Sequence, residues 1–137
     1  MNDSVTTVRE FVDAINRHSV EALSALMTED HVFIDSLGAR VKGREKVTAG
    51  WKGYFRMVPD YSITVEEIYS DGAVVVMLGS AQGTYSTGGQ LLAANQWQTP
   101  AAWRAVTRGS QVAEWRVYAD NEPIREIMRR SGGTAAG

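Results

Sequence analysis

Two side chains able to exchange a proton, His31 and Asp35, share one parity of the stretch His31-Val32-Phe33-Ile34-Asp35. An extended backbone sends alternate side chains to one face, so both can look into the same space, with Phe33 between them. Asp35 also runs into Ser36-Leu37-Gly38, where an aspartate forms turns by accepting backbone N–H groups. His31 by itself also suits a structural role. The chain has no cysteine, which excludes disulfides, thiolate nucleophiles and Cys-based metal sites. With only His18 and His31 available, a multi-histidine metal centre is excluded too, and neither a metal nor a cofactor is expected.

Trp51, Trp97, Trp103 and Trp115 are more indole than a chain of 137 residues needs to fill a core. Tryptophan combines a large apolar body with a single N–H donor. Together the four point to an aromatic-lined pocket for a small apolar or aromatic molecule, with Tyr54 and Tyr85 offering hydroxyls. The formal net charge of −2 argues against nucleic acid or an anionic membrane surface as partner. No apolar run approaches the roughly 20 residues that span a bilayer. No basic segment followed by an apolar one opens the chain, so no signal peptide is expected and the cytoplasm is the default location.

Helical spacing of Val5, Val8, Val12 and Ile15, with Asp3 and Ser4 as caps, predicts a first helix ending near Arg17-His18. Ser19 caps a second, with apolar face Ala22, Leu23, Leu26 and Met27, which should break at Thr28-Glu29-Asp30. His31–Asp35 and Arg40–Lys42 form a short hairpin. Gly43 opens a third helix bearing Val47, Trp51, Tyr54, Phe55 and Val58, and Pro59 lies beyond its end. The period then becomes two. Tyr61–Tyr69 and Ala73–Tyr85 flank Asp71-Gly72, a strong hairpin signal. Strands near Gln98–Thr107 and Val112–Ala119 follow a wide loop. Asp120 caps a final helix with apolar face Ile124, Ile127 and Met128. Residues 1–130 read as one domain and 131–137 as a flexible tail. This order implies a curved antiparallel sheet with helices on its concave side, open at one end to leave a cavity. Glycines in Ala73–Tyr85 mark the bends that curvature requires.

The order of elements, Asp35-Ser-Leu-Gly38, Gly43-Arg-Glu45, Pro59-Asp60-Tyr61 and Trp115-Arg-Val-Tyr-Ala-Asp120 resemble the nuclear transport factor 2-like superfamily in its SnoaL-like branch. The resemblance covers roughly residues 5–130 and implies a cone-shaped α+β barrel, its curved antiparallel sheet wrapped around the N-terminal helices. It also puts Asp35 at the position of the catalytic aspartate of the ketosteroid isomerases, which carries a proton between two carbons. Their partner groups are not kept. Phe11 and Trp51 stand where those enzymes have tyrosines, and Trp103 falls at or beside their neutral aspartate. Val117 stands at the acid position of the related epoxide hydrolases and cyclases.

Two functions are expected from these residues. The first is a pocket walled by Phe11, Phe33, Trp51, Tyr54, Trp97, Trp103 and Val117, with Asp35 as base, assisted by His31 or Tyr54. The reaction would be isomerisation, cyclisation or dehydration. The second is a binding or interaction module without chemistry, a homodimer paired through Val74, Val76, Val106 and Val112 on the outer sheet face.

Overall fold

The computed structural model describes residues 3–131. Helix α1 (Asp3–Asn16) buries Val8, Phe11, Ala14 and Ile15 along one stripe, as the spacing predicts. Its last residue acts on the sheet. The Asn16 amide donates to the Ile63 carbonyl at 3.0 Å and accepts from the Ile63 N–H at 2.8 Å, as a paired strand would. Helix α2 (Val20–Leu26) begins at Ser19, whose hydroxyl accepts the Ala22 N–H.

The helix stops one residue earlier than expected, because Met27 already has extended dihedrals. Met27 to Asp30, expected as a helix end and a break, instead begin strand β1 (Met27–Ile34). Its pairing slips between Met27 and Val32. That slip explains why Thr28-Glu29-Asp30 lacks the alternation of a regular strand. Strand β2 (Arg40–Lys42) returns antiparallel to β1. Helix α3 (Arg44–Met57) buries Val47, Trp51 and Phe55.

Strands β3 (Ser62–Asp71), β4 (Val74–Thr84), β5 (Gln96–Arg108) and β6 (Gln111–Ala119) form the long antiparallel meander. A short 3-10 turn, Ala93–Asn95, leads into β5. Helix α4 (Glu122–Arg130) closes the described chain, and Asp120 accepts its Glu122 N–H at 2.9 Å. Among the expected tail residues, 132–137 lie outside those described.

The six strands form one sheet in the order β2-β1-β6-β5-β4-β3. Four neighbouring pairs are antiparallel and β1–β6 is parallel, so the hairpin extends the meander through one parallel contact. The sheet stays open. Its inward face carries Val75, Met77, Trp97, Trp103 and Trp115 against α1 and α3, in the cone-shaped α+β arrangement. The expected glycine bend is present. Val65 pairs with Gly79 but Glu67 pairs with Leu78, a bulge that leaves Glu66 unpaired.

A second bulge changes one expectation. The β5–β6 register shifts between Val106 and Thr107, which turns Val112 inward to full burial. Val112 therefore belongs to the core and not to the outer face.

Candidate functional site

Between α3, the end of β1 and the inward faces of β4, β5 and β6 lies a cavity of about 350 Å³. Its floor carries Trp97 and Trp103 from β5, Trp115 and Val117 from β6, and Ala81 from β4. Trp51 and Tyr54 cover it from α3, and Phe33 meets Trp51 edge-on at 6.0 Å between ring centres. The side chain of Tyr61, from the turn after α3, completes the wall. Burying rings of this size contributes on the order of 2–3 kcal/mol each, so the wall is also a large part of the core.

Asp35 lines this cavity just past the end of β1. Its Oδ1 accepts the N–H groups of Leu37 and Ala39, both at 2.9 Å. The turn role and the cavity role are therefore both present in one side chain. One oxygen shapes the Ser36-Leu37-Gly38 turn; Oδ2 has no partner among the described residues. The turn is tied to the start of α4 by Asn121, whose amide donates to the Ser36 hydroxyl at 2.9 Å.

One expected wall residue, Phe11, and one expected assisting group, His31, lie elsewhere. Phe11 and His31 are fully buried and not in the lining. Phe11 packs at a tilt against Trp115 at 4.8 Å between ring centres and His31 stacks on Phe11 at 6.0 Å, so both stand behind the wall and brace it. The slip in β1 accounts for this, since it breaks the shared parity of His31 with Phe33 and Asp35. Conversely, the lining includes Lys46 and Arg125, from the first turns of α3 and α4, and Tyr61, which the period of two puts at the start of a strand and which lies one residue before it, in the turn. Tyr61 carried a signal in Pro59-Asp60-Tyr61, a turn directly after an aromatic-rich helix.

The His31 Nδ1–H donates to the Val112 carbonyl at 2.6 Å, leaving Nε2 buried and unpaired. Burial disfavours the charged ring and lowers its pKa, against smaller opposing contributions from the Val112 carbonyl, Asp30 and Glu114. The unfolded chain therefore takes up a proton below about pH 6.5 that the folded chain resists. Stability is complete above that pH and should fall as pH drops through it, by up to about 1.4 kcal/mol per pH unit. Urea melts from pH 7.5 to 5 should show this slope. His31→Asn, which can still donate to Val112, should flatten it; an unchanged slope would mean another group is responsible.

Burial also raises the pKa of Tyr54 and Tyr61, the latter helped by its proximity to Tyr54, so both phenols stay neutral. No group of three or more His, Cys, Asp or Glu among the described residues is placed to hold a metal ion. No helix among them is long and apolar enough to cross a membrane.

The model of the SnoaL-like domain matches residues 8–126. No curated protein matches the sequence. Among solved structures, a protein from Shewanella denitrificans assigned as a SnoaL-like polyketide cyclase superposes with a TM-score of 0.79 at 16% identity, covering 93% of this chain and 97% of its own. IdmH from Streptomyces antibioticus, assigned as a polyketide cyclase, gives 0.76 at 19%, covering 93% and 99%. An epoxide hydrolase of M. tuberculosis, like limonene-epoxide hydrolase, gives 0.75 at 16%, covering 94% and 91%. At these identities the structural likeness speaks for the fold. With the family match running from α1 into α4 and the same fold in each of these neighbours, the chain belongs to the SnoaL-like domain family, within the nuclear transport factor 2-like superfamily.

Proposed function

We propose that this chain binds an apolar or aromatic small molecule in the cavity and transfers a proton between two of its carbons, with Asp35 as the base. The observation that carries this reading is the Asp35 carboxylate in an aromatic wall, with one oxygen held by the turn and the other uncommitted. A carboxylate that lines the cavity with one oxygen uncommitted is placed to accept a proton from a carbon of a bound ligand. The C–H electron pair moves into the ligand's carbon framework, the charge passes to a conjugated oxygen, and the proton rests on Asp35 until it returns at another carbon. Isomerisation, cyclisation and dehydration share the removal of the C–H proton by a base. Isomerisation returns it to carbon, whereas in cyclisation the electron pair forms a carbon–carbon bond and the proton passes to oxygen. In dehydration the pair expels a hydroxyl that leaves with the proton as water. Epoxide opening fits less well, because Val117 stands at that chemistry's acid position and brings no carboxylate to the wall.

2-Tetralone, a two-ring ketone with acidic C–H bonds beside its carbonyl, tests the reading. In deuterium oxide the protein should speed deuterium uptake at those carbons, followed by proton NMR. Binding of the ketone with exchange at the buffer rate would leave binding without chemistry.

A second reading, an interaction module pairing two copies of the chain, is favoured by the outer sheet face. Val74, Val76 and Val106 are partly exposed there beside Leu78 at 38% and Tyr118 at 48% exposure. The strip crosses three adjacent strands, β4, β5 and β6. Sedimentation at micromolar concentration should give a dimer, dissociated by Val76→Glu. A monomeric wild type would remove this interface.

A further inference from the structure

We infer that the Tyr61 hydroxyl, with that of Tyr54 beside it, forms a polar end of the cavity that receives a carbonyl or phenolic oxygen of the ligand. This rests on the ligand-binding reading above and names the class of molecule the cavity takes.

Tyr61 is nine-tenths buried, at 8% exposure, and lines the cavity. Neither its hydroxyl nor that of Tyr54 has a hydrogen-bond partner among the described residues. The two rings meet edge to face with centres 5.0 Å apart. Trp97 and Trp51 pack on Tyr61 at 6.1 and 6.5 Å, and both of their indole N–H groups are buried without a partner. Three hydrogen-bonding side chains thus gather around Tyr61, and none of the four has an acceptor among the described residues. Buried polar groups are ordinarily paired, and two buried, unpaired indole N–H donors beside two phenols without a partner in a cavity wall are the pattern of a site made for an acceptor.

The chain also holds Tyr61 in place from several sides. The His18 ring stacks on Phe55 at 4.1 Å and donates through Nε2 to the Tyr61 carbonyl at 2.6 Å. The Tyr61 N–H donates to the Val58 carbonyl. Asp60 accepts both the N–H and the hydroxyl of Thr84, at 2.7 and 2.6 Å. Asn16 fixes Ile63 two residues on. A phenol held this firmly loses little conformational entropy on binding.

Position adds the ligand's shape. Asp35 follows Ile34, the partner of Arg116, near the β2 edge of the sheet. Tyr61 precedes Ser62, the partner of Gln82, at the β3 edge. A ligand that touches both is extended, and the rings of Trp103 and Trp115 along the floor suit a flat one. The class is a planar, conjugated molecule of at least two fused rings, with an oxygen at the end away from the carbon that meets Asp35. Conjugation lets charge created near Asp35 reach the oxygen at Tyr61, which neutral donors then stabilise.

Equilibrium dialysis of 2-naphthol and naphthalene, which differ by one hydroxyl, tests the inference. The wild type should bind 2-naphthol about tenfold more tightly. Tyr61→Phe should abolish that preference and leave naphthalene binding unchanged. If Tyr61→Phe does not fold by circular dichroism, Tyr54→Phe carries the same comparison. A preference that survives in the folded variants overturns the inference. Equal binding of both compounds by the wild type also overturns it while the ligand-binding reading stands, and binding of neither overturns both.

Discussion

Gly79→Ala should destabilise the domain by about 3 kcal/mol or more, lowering the melting temperature by on the order of 10 °C. A Cβ at this position would stand 1.8 Å from the Thr64 carbonyl oxygen and 2.8 Å from its carbon, both backbone atoms of the neighbouring strand. No rotamer relieves such an overlap; β3 and β4 must separate and lose ladder hydrogen bonds. The glycine is needed here because the strands cross closely at the bulge between Val65 and Glu67. Ala81 of the cavity lies two residues along the same strand, so affinity for a two-ring probe should fall as well. Gly53 provides the contrast. It lies within α3, where an added Cβ meets nothing within 4 Å, and Gly53→Ala should stabilise by about 0.5–1 kcal/mol through helix propensity. A Gly79→Ala protein within about 0.5 kcal/mol of wild type would show that the bulge relaxes freely.

Most of the fold was legible because its elements carry strong periodicity. The stripe of α1, the Ser19 cap, the Asp71-Gly72 hairpin and the alternation along β5 each have a local cause, and each appears where the pattern puts it. Where the pattern failed, a register slip had intervened. Thr28-Glu29-Asp30 reads as a break because the slip in β1 spoils alternation, and the same slip takes His31 out of line with Asp35. Val112 reads as outward-facing until the slip at Val106 and Thr107 turns it over. A bulge depends on which strand lies alongside, and a single sequence does not state its partners. The cavity divides the same way. Phe33, Trp51, Tyr54, Trp97, Trp103 and Val117 were foreseen and line it. Lys46 and Arg125 come from helix starts, brought in by tertiary packing that no local period records, and Tyr61 has a period of two that names a strand but not the cavity it faces.

Asp35→Asn should cut the protein-catalysed deuterium exchange of 2-tetralone by about a hundred- to a thousandfold, the usual contribution of a general base. Asparagine isolates the base from the turn. Its side-chain oxygen still accepts the Leu37 and Ala39 N–H groups, the two bonds that shape residues 36–39. Its amide cannot take a proton from carbon at neutral pH. Folding should therefore change by less than about 1 kcal/mol, whereas Asp35→Ala also loses both acceptor contacts and should cost about 1–2 kcal/mol. The pair separates the two roles. If Asp35 only forms the turn, Asn keeps both stability and exchange and Ala alone is harmed. If it is the base, both variants lose exchange equally although only Ala loses stability. Ketone affinity adds a further distinction, because the apolar wall is untouched and both variants should bind 2-tetralone as the wild type does. An Asp35→Asn protein that binds the ketone and exchanges it at the wild-type rate would exclude Asp35 as the base and transfer that role to another group facing the cavity.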